Sequence, residues 1–254
     1  MSTENDKNLY EIISHKENIG ETPLVTVIIT LFNYQNFIPT CLESVKNQNI
    51  DKLNLVIVDD CSKDQSLKIT NKWLDENGKR FNDYVLARHT INRGLAHSRN
   101  TAISLTRTKY VFILDADNLL YPRCLESLVD ALENCDASFA YCYLEKFGDG
   151  NALQNTKPWN SLTLGVVNPI DAMVLLRKST WENVGGYSTN ETMKLGWEDY
   201  ELWFKIARIK GWGIQIPEIL ARYRVHKTSM LNTVTNPNVE KLWNYLKENY
   251  PEYF

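Results

Sequence analysis

The sequence predicts a single compact α/β domain in which parallel strands are joined by crossover helices. Three observations lead to this prediction. Short apolar segments of strand length alternate with segments whose apolar residues recur at helical spacing. Polar residues follow the end of each early strand. The chain has 254 residues, of which 43% are hydrophobic and 23% are charged, so it can bury one large core.

The first half of the chain is the more regular. Its apolar segments predict four strands, at 24–30, 53–58, 84–88 and 110–114. The segments between these strands have the apolar spacing of helices. The predicted buried faces are Ile38, Cys41, Leu42 and Val45 in the first helix, Leu67, Thr70 and Leu74 in the second, and Leu95, Ala102 and Leu105 in the third.

The second half has fewer clear elements. Turn residues predict a loop over 147–164, and a loop of this length in a compact domain is often functional. An apolar strand is expected over 172–176. A helix is expected from Trp197 onward, and its predicted buried face is Leu202, Ile206 and Ile209. An amphipathic helix over 238–250 is expected to pack against the domain.

Composition narrows the class of protein. The net charge of −3 does not favour nucleic acid as a partner. No apolar segment approaches the roughly 20 residues that span a bilayer, and the polar start at 1–20 has no signal-peptide core. A cytoplasmic location is therefore expected, with peripheral contact at the inner membrane face left open. Five cysteines without a CxxC pair indicate reduced, structural thiols.

An acidic pair stands at the end of the fourth strand, where Asp115-Ala116-Asp117 follows the apolar segment 110–114. Two carboxylates leaving the core need a cation, hydrogen-bond donors or water around them. Magnesium and manganese take one or two protein carboxylates and complete their shells with water and phosphate oxygens. The pair therefore favours a bound metal and diphosphate. The alternative is that both aspartates only cap a helix or turn.

The other strand ends are polar as well, and in open α/β sheets ligands bind beyond the carboxyl ends of the strands. The segments that follow the first three strands are Thr30-Leu31-Phe32-Asn33-Tyr34, Asp59-Asp60-Cys61-Ser62 and Asn92-Arg93-Gly94. Asp59 and Asp60 can accept hydrogen bonds from a base edge or ribose, and Arg93 and Arg99 can balance phosphate charge. The alternatives are a capped turn and a pair of surface arginines. A single glycine excludes the dinucleotide fingerprint, and no P-loop is present.

Seven motifs in order resemble a family 2 glycosyltransferase with the GT-A fold, over about 23–230. They are Val27-Ile28-Ile29-Thr30, Val58-Asp59-Asp60-Cys61-Ser62, Asn92-Arg93-Gly94 with Arg99-Asn100, Leu114-Asp115-Ala116-Asp117, Val184-Gly185-Gly186-Tyr187, Gly196-Trp197-Glu198-Asp199-Tyr200, and Arg222-Tyr223-Arg224-Val225-His226. The resemblance implies a Rossmann-like nucleotide-binding half with a mixed central sheet, at 23–120, and an acceptor-binding half at 121–230. A polar extension (1–22) and a helical C-terminal segment (231–254) would flank this domain.

The resemblance also implies a donor site. Thr30, Phe32 and Asp60 would surround the base and ribose, and Arg99, with or without Arg93, would lie near the diphosphate. Asp117 would ligate Mn²⁺ or Mg²⁺, and Asp115 would reach the ribose or the metal through water. Family members often carry Tyr where this chain has Phe32, so its ring can stack on a base but offers no hydroxyl.

On the acceptor side, the resemblance implies that Asp199 is the general base of an inverting transfer. Simple helix capping by Glu198 and Asp199 is the alternative. Trp197 is expected either to stack on a sugar or to lie in the core. His226 is expected either to ligate the metal or to be an ordinary residue, and an Asp-plus-His site would favour manganese.

The resemblance makes a uridine diphosphate sugar the expected donor and leaves saccharide, lipid-linked and protein acceptors open. Single-sugar transfer is expected, because the chain lacks the Gln-x-x-Arg-Trp motif of processive synthases. Two other functions remain open. One is a sugar-phosphate nucleotidyltransferase, which the missing Gly-rich loop after the first strand disfavours. The other is an inactive nucleotide-sugar-binding module.

Overall fold

The structure is a computed structural model that describes residues 9–18, 20 and 22–254. The first eight residues of the predicted extension 1–22, together with positions 19 and 21, lie outside the described residues. In the part that is described, no helix is both long and apolar enough to cross a bilayer.

The described chain contains ten strands in one sheet and seven α-helices. The strands are β1 (Tyr10–Lys16), β2 (Val25–Leu31), β3 (Asn54–Asp59), β4 (Tyr84–His89), β5 (Tyr110–Asp115), β6 (Leu119–Leu120), β7 (Phe139–Gly148), β8 (Leu153–Gln154), β9 (Leu175–Arg177) and β10 (Gly213–Val225). The helices are α1 (Ile38–Lys46), α2 (Ser66–Asn77), α3 (Leu95–Ser104), α4 (Cys124–Glu133), α5 (Lys178–Asn183), α6 (Glu198–Arg208) and α7 (Val239–Asn249).

The sheet is mixed, in the order β1-β4-β3-β2-β5-β9-β7-β10-β6, with β8 added beside β7. β4, β3, β2 and β5 are parallel neighbours. β9 joins β5 to β7 through antiparallel pairing on both sides, and β10 runs parallel to β7. The parallel block brings the carboxyl ends of β2, β3, β4 and β5 to one edge of the sheet.

Alternation along the buried strands divides the core between the two faces of the sheet. In β2, Val25, Val27 and Ile29 face a cluster with α1, α2 and α4. Ile28 faces the opposite cluster, which includes α3, α6 and α7. Helices therefore cover both sides of the sheet, so its interior strands are apolar throughout. The predicted α/β class, mixed sheet and single domain are confirmed.

The four early strands lie within about one residue of their predicted bounds, and the predicted face of α1 is buried as expected. Some details of the prediction are wrong. Leu67 in α2 and Leu105 at the end of α3 pack against the core but are only partly buried. The buried Trp73 and Ile103 were not predicted. Ile209 lies just past the end of α6 and is 48% exposed.

The elements outside the regular first half differ more from expectation. The predicted strand 172–176 is the shorter β9, and the predicted loop 147–164 contains β8. Within the predicted extension, β1 pairs antiparallel with β4 at the sheet edge. This strand was not predicted because β1 contains several polar and charged residues, which an edge strand tolerates.

Candidate active site

The ends of β2 and β3 are tied together by their own polar side chains. The Asn33 backbone N–H donates to Ser62 Oγ at 3.0 Å, and the Lys63 N–H donates to Asn33 Oδ1 at 2.7 Å. Asn33 has a φ of 57°, a left-handed conformation that asparagine tolerates. Thr30 is buried at the end of β2, whereas the Phe32 ring is exposed at the mouth of the crevice. Asn33 thus shapes the loop, and Phe32 is the side chain open to a ligand.

Asp60 is buried and holds the turn that precedes α3. Its Oδ1 accepts from the Arg93 N–H at 2.9 Å, and its Oδ2 accepts from the Gly94 N–H at 2.8 Å. His89 Nδ1 lies 2.7 Å from the same Oδ1, and His89 Nε2 lies 3.0 Å from Thr101 Oγ1. Both carboxylate oxygens of Asp60 therefore already have hydrogen-bond partners within the protein. The Arg93 side chain is half-buried.

Asp59 differs from Asp60 in having an unused acceptor. Its side chain is 0% exposed. Oδ2 accepts from the Ser62 N–H at 3.1 Å and lies 3.5 Å from Arg88 Nε. Oδ1 has no hydrogen-bond partner among the described residues. Burial raises the pKa of Asp59 above its usual value. A buried carboxylate oxygen without a donor is costly, so a ligand donor at this point would be stabilising.

Arg99 connects α3 to the end of β5 and to the start of α6. Its side chain is 1% exposed. Nη2 donates to Asp115 Oδ1 at 2.9 Å, and Nη1 donates to a Glu198 carboxylate oxygen. The guanidinium also lies 5.6 Å from the centre of the Tyr187 ring. Arg99 is thus not a surface arginine, and its two terminal nitrogens are occupied by carboxylates.

Asp117 and His226 meet at the end of β5. Asp117 Oδ2 lies 3.0 Å from His226 Nε2, and His226 Nδ1 lies 3.0 Å from Thr228 Oγ1. Asp117 is 7% exposed. Burial and repulsion from Asp115 raise the pKa of Asp117 to about 6. A cation placed here would relieve that repulsion and stabilise the ionised form.

The donor set at this point fits a divalent ion that also binds substrate. Asp115, Asp117 and His226 supply oxygen and imidazole ligands of the kind that manganese accepts. Among the described residues, no group of three or more His, Cys, Asp or Glu is arranged to hold a metal ion alone. An ion here would therefore take few protein ligands and would complete its shell with diphosphate and water oxygens.

Glu198 and Asp199 open α6 after Trp197, which has a left-handed φ of 61°. Asp199 Oδ1 accepts from the Tyr200 N–H at 2.7 Å, and Asn168 Nδ2 lies 3.5 Å from Asp199 Oδ2. Burial raises the pKa of Asp199 to about 6, with Arg99 opposing and Asp171 adding to the rise. Burial likewise raises the pKa of Glu198 to about 7. A carboxyl group whose pKa lies near neutral pH suits the role of a general base.

The Trp197 ring packs in an aromatic cluster. Its centre lies 5.2 Å from that of Trp243 in α7 and 5.4 Å from that of Tyr200. The ring is half-buried. These contacts favour the expected alternative of a core tryptophan that fixes the start of α6 over a ring free to stack on a sugar.

Asp171 is a site residue that the local sequence did not indicate. It follows Asn168-Pro169 and lies close enough to Asp199 for their charges to repel. Met173 N–H donates to Asp171 Oδ1 at 3.0 Å, and burial raises the pKa of Asp171 to about 7. Asp171 lies four residues before β9, which pairs with strands distant in sequence and so sets the position of this segment. The turn dipeptide before it was the only local signal.

Comparison with known proteins identifies the family and the fold of this chain. The sequence model described as "Glycosyl transferase family 2" matches residues 26–193. The teichoic acid poly(glycerol phosphate) polymerase of Staphylococcus epidermidis is 34% identical over 116 residues. That match covers 46% of this chain and 16% of the polymerase.

Two solved structures share the fold. S. aureus TarS 1-349 in complex with UDP-GlcNAc has a TM-score of 0.69 at 16% identity, and the match covers 82% of this chain and 60% of that one. The mannosyltransferase PcManGT from Pyrobaculum calidifontis, in complex with GDP-Man and Mn²⁺, has a TM-score of 0.66 at 22% identity, covering 85% of this chain and 61% of that one. The chain therefore spans less than two thirds of the length of each.

Proposed function

The chain belongs to glycosyl transferase family 2, and we propose that it moves one sugar from a nucleotide-diphosphate sugar to an acceptor hydroxyl with inversion at the anomeric carbon. The observation that carries the proposal is the Arg99 bridge. It joins Asp115 at the end of the donor-side strand β5 to Glu198 at the start of the helix that carries Asp199. This bridge supports the assignment of the proposed metal-binding acids and the proposed base to one site.

On the donor side, we assign the base and ribose to the crevice beyond β2 and β3. Phe32 offers an exposed ring for stacking. Asp59 has an unused carboxylate oxygen for an N–H or hydroxyl of the nucleoside; this oxygen is buried, so the turn after β3 has to open for the nucleoside to reach it. Thr30 and Asp60 are buried behind this crevice, and Asp60 holds the turn that borders it. Uridine diphosphate is the proposed nucleotide, in keeping with the UDP-GlcNAc bound by TarS.

The diphosphate belongs beside Asp115 and Asp117. A bound Mn²⁺ or Mg²⁺, held by Asp117 with Asp115 or His226, would neutralise the charge that develops on the leaving diphosphate. PcManGT was solved with Mn²⁺, which supports manganese. Arg93 is the proposed cationic contact. Arg99 is a positioning residue instead, because it is buried and its terminal nitrogens already bind Asp115 and Glu198.

On the acceptor side, we propose Asp199 as the general base. The acceptor oxygen forms a bond to the anomeric carbon, while the bond from that carbon to the phosphate oxygen breaks and the nucleoside diphosphate leaves. Asp199 takes the proton of the attacking hydroxyl. Asn168 lies beside Asp199 Oδ2 and can orient it, and Glu198 holds Arg99.

Product analysis tests this function. The protein is incubated with Mn²⁺ and, separately, with UDP-, GDP- and dTDP-sugars, with and without a chelator. Release of the nucleoside diphosphate that stops with the chelator is the expected result. Pyrophosphate release from a nucleoside triphosphate and a sugar phosphate would instead identify a nucleotidyltransferase. Metal-dependent thermal stabilisation by a donor, without turnover toward any acceptor or water, would identify a binding module.

A further inference from the structure

Beside the Asp117 turn lies a row of alternating rings and guanidinium groups that the reaction itself does not use. The Arg224 guanidinium carbon is 4.6 Å from the centre of the Phe37 ring and 4.4 Å from the centre of the Phe147 ring. The Arg222 guanidinium carbon is 4.3 Å from the centre of the Phe147 ring. We call these four side chains the guanidinium stack. It joins the start of α1 to the ends of β7 and β10.

The backbone fixes the positions of these rings. Arg224 is the parallel register partner of Phe147, and Val225 is the partner of Gly148. Gly148 has a φ of 90°, and a Cβ there would come within 2.6 Å of the Val225 carbonyl oxygen. The Asp149 N–H donates to that same oxygen at 2.9 Å. The ends of β7 and β10 are therefore held at close approach, so Phe147 lies against Arg224.

Arg224 also contacts the turn that carries the proposed metal ligand. Its Nε donates to the Asp117 carbonyl oxygen at 2.9 Å, and its backbone N–H donates to Asn118 Oδ1 at 2.8 Å. Two residues further along the chain, His226 contacts the Asp117 carboxylate. The His226 ring centre lies 5.2 Å from that of Phe37. The end of β10 thus holds both the main chain and the side chain of Asp117.

We propose that Arg224 is a positioning residue that fixes the Asp117 turn for the divalent ion; this inference rests on the proposed metal-assisted function. A guanidinium between two rings can donate from Nε while its plane stays fixed by stacking. Lysine keeps the charge but has neither the planar group nor the Nε donor. Residues that orient metal ligands commonly change metal affinity by about 10–100-fold when they are replaced.

The test compares Arg224→Lys with Arg222→Lys. Arg222 is a matched control because it lies on the same strand and stacks on the same Phe147 ring. It differs from Arg224 in that its Nε pairs with Glu145, at 2.9 Å, and not with the Asp117 turn. Free Mn²⁺ is followed by electron paramagnetic resonance as it is titrated into each variant with saturating UDP. We expect Arg224→Lys to weaken Mn²⁺ binding about tenfold or more and Arg222→Lys to leave it unchanged.

Unfolding of each variant is measured alongside. Equal Mn²⁺ affinity in Arg224→Lys and wild type would overturn the inference while leaving the proposed function intact. Equal weakening in both arginine variants would also overturn it, because stacking alone would then suffice. Should Arg224→Lys not fold, Phe147→Leu is compared with Arg222→Lys. Weaker Mn²⁺ binding in Phe147→Leu alone supports the inference, because the Phe147 ring then acts through Arg224. Unchanged binding in Phe147→Leu, or equal weakening in the two variants, overturns it. A wild-type protein that binds no Mn²⁺ with either UDP or GDP contradicts the proposed function itself.

Discussion

Arg99 Nη2 lies 2.9 Å from Asp115 Oδ1, an ion pair in which the arginine side chain is almost fully buried. The same guanidinium binds Glu198. Removing one partner from a buried ion pair leaves uncompensated charge, at a cost of about 3–5 kcal/mol. We therefore expect Arg99→Met to lower the free energy of unfolding by about that amount, as measured by chemical denaturation.

Arg107→Met is the matched control for this prediction. Arg107 pairs with Glu17, and both side chains are more than half exposed to solvent. Exposed ion pairs contribute about 0–1 kcal/mol, so the control is expected to unfold nearly like wild type. Similar losses in the two variants would contradict the view that the buried Arg99 bridge stabilises the contact of α3 with β5 and α6.

The burial of Arg99 could have been predicted from the spacing of apolar residues in α3. In α3 the buried Ala96, Arg99 and Ile103 share one helical face, at spacings of three and four residues. An arginine on an apolar face requires buried partners, and the acidic pair at the end of β5 was the nearest predicted partner. A diphosphate contact was expected for Arg99 because of its positive charge, without regard to its position on this buried face of α3.

The strand ends of the first half could be predicted because local patterns determine them. Apolar segments of strand length are followed by Asp59-Asp60 and Asp115-Ala116-Asp117, and parallel pairing brings these ends together. The contact of Arg224 with Asp117 could not be predicted in this way. These residues are 107 positions apart and meet through the pairing of β10 with β7 and β6. Only the packed sheet brings them together.

The unused oxygen of Asp59 leads to a prediction about donor binding. Asp59→Asn replaces one carboxylate oxygen by an amide N–H, so one acceptor is lost. We expect the dissociation constant for UDP to rise about tenfold, the loss of about one hydrogen bond to a charged group. Isothermal titration calorimetry measures it. Stability should not fall much, because burial already disfavours the ionised Asp59 and raises its pKa.

Asp75→Asn is the control for donor binding. Asp75 is an exposed carboxylate on α2, far along the helix from the crevice. This change removes the same charge from the protein without touching the end of β3. An equal loss of UDP affinity in both variants would mean that net charge, not the Asp59 oxygen, governs nucleotide binding.

Asp199→Asn tests the proposed base. The amide keeps the shape of the side chain, so the hydrogen bond from the Tyr200 N–H can persist, but it cannot take a proton. We expect kcat for sugar transfer to fall about 10²–10⁴-fold, with the donor dissociation constant nearly unchanged. Rapid transfer by this variant, at a rate close to that of wild type, would exclude Asp199 as the base.

The pH dependence of transfer offers a separate test of the same residue. Burial raises the pKa of Asp199 to about 6. The base must be ionised, so kcat/KM should decline as pH falls below about 6 and should level off above it. Asp171 adds to the raised pKa through charge repulsion. Burial raises the pKa of Asp171 itself to about 7, so only a minor fraction of Asp171 is ionised near pH 6. Asp171→Asn removes that remaining repulsion, so the acidic limb of the profile should move slightly to lower pH.

Asp136→Asn is the control, because Asp136 is exposed in the turn between α4 and β7. It should leave the profile where it is. A limb that moves to higher pH in Asp171→Asn, or that moves equally in both variants, would contradict direct repulsion between Asp171 and Asp199. A fall in rate without a shift would mean that Asp171 acts on packing and not on the proton affinity of Asp199.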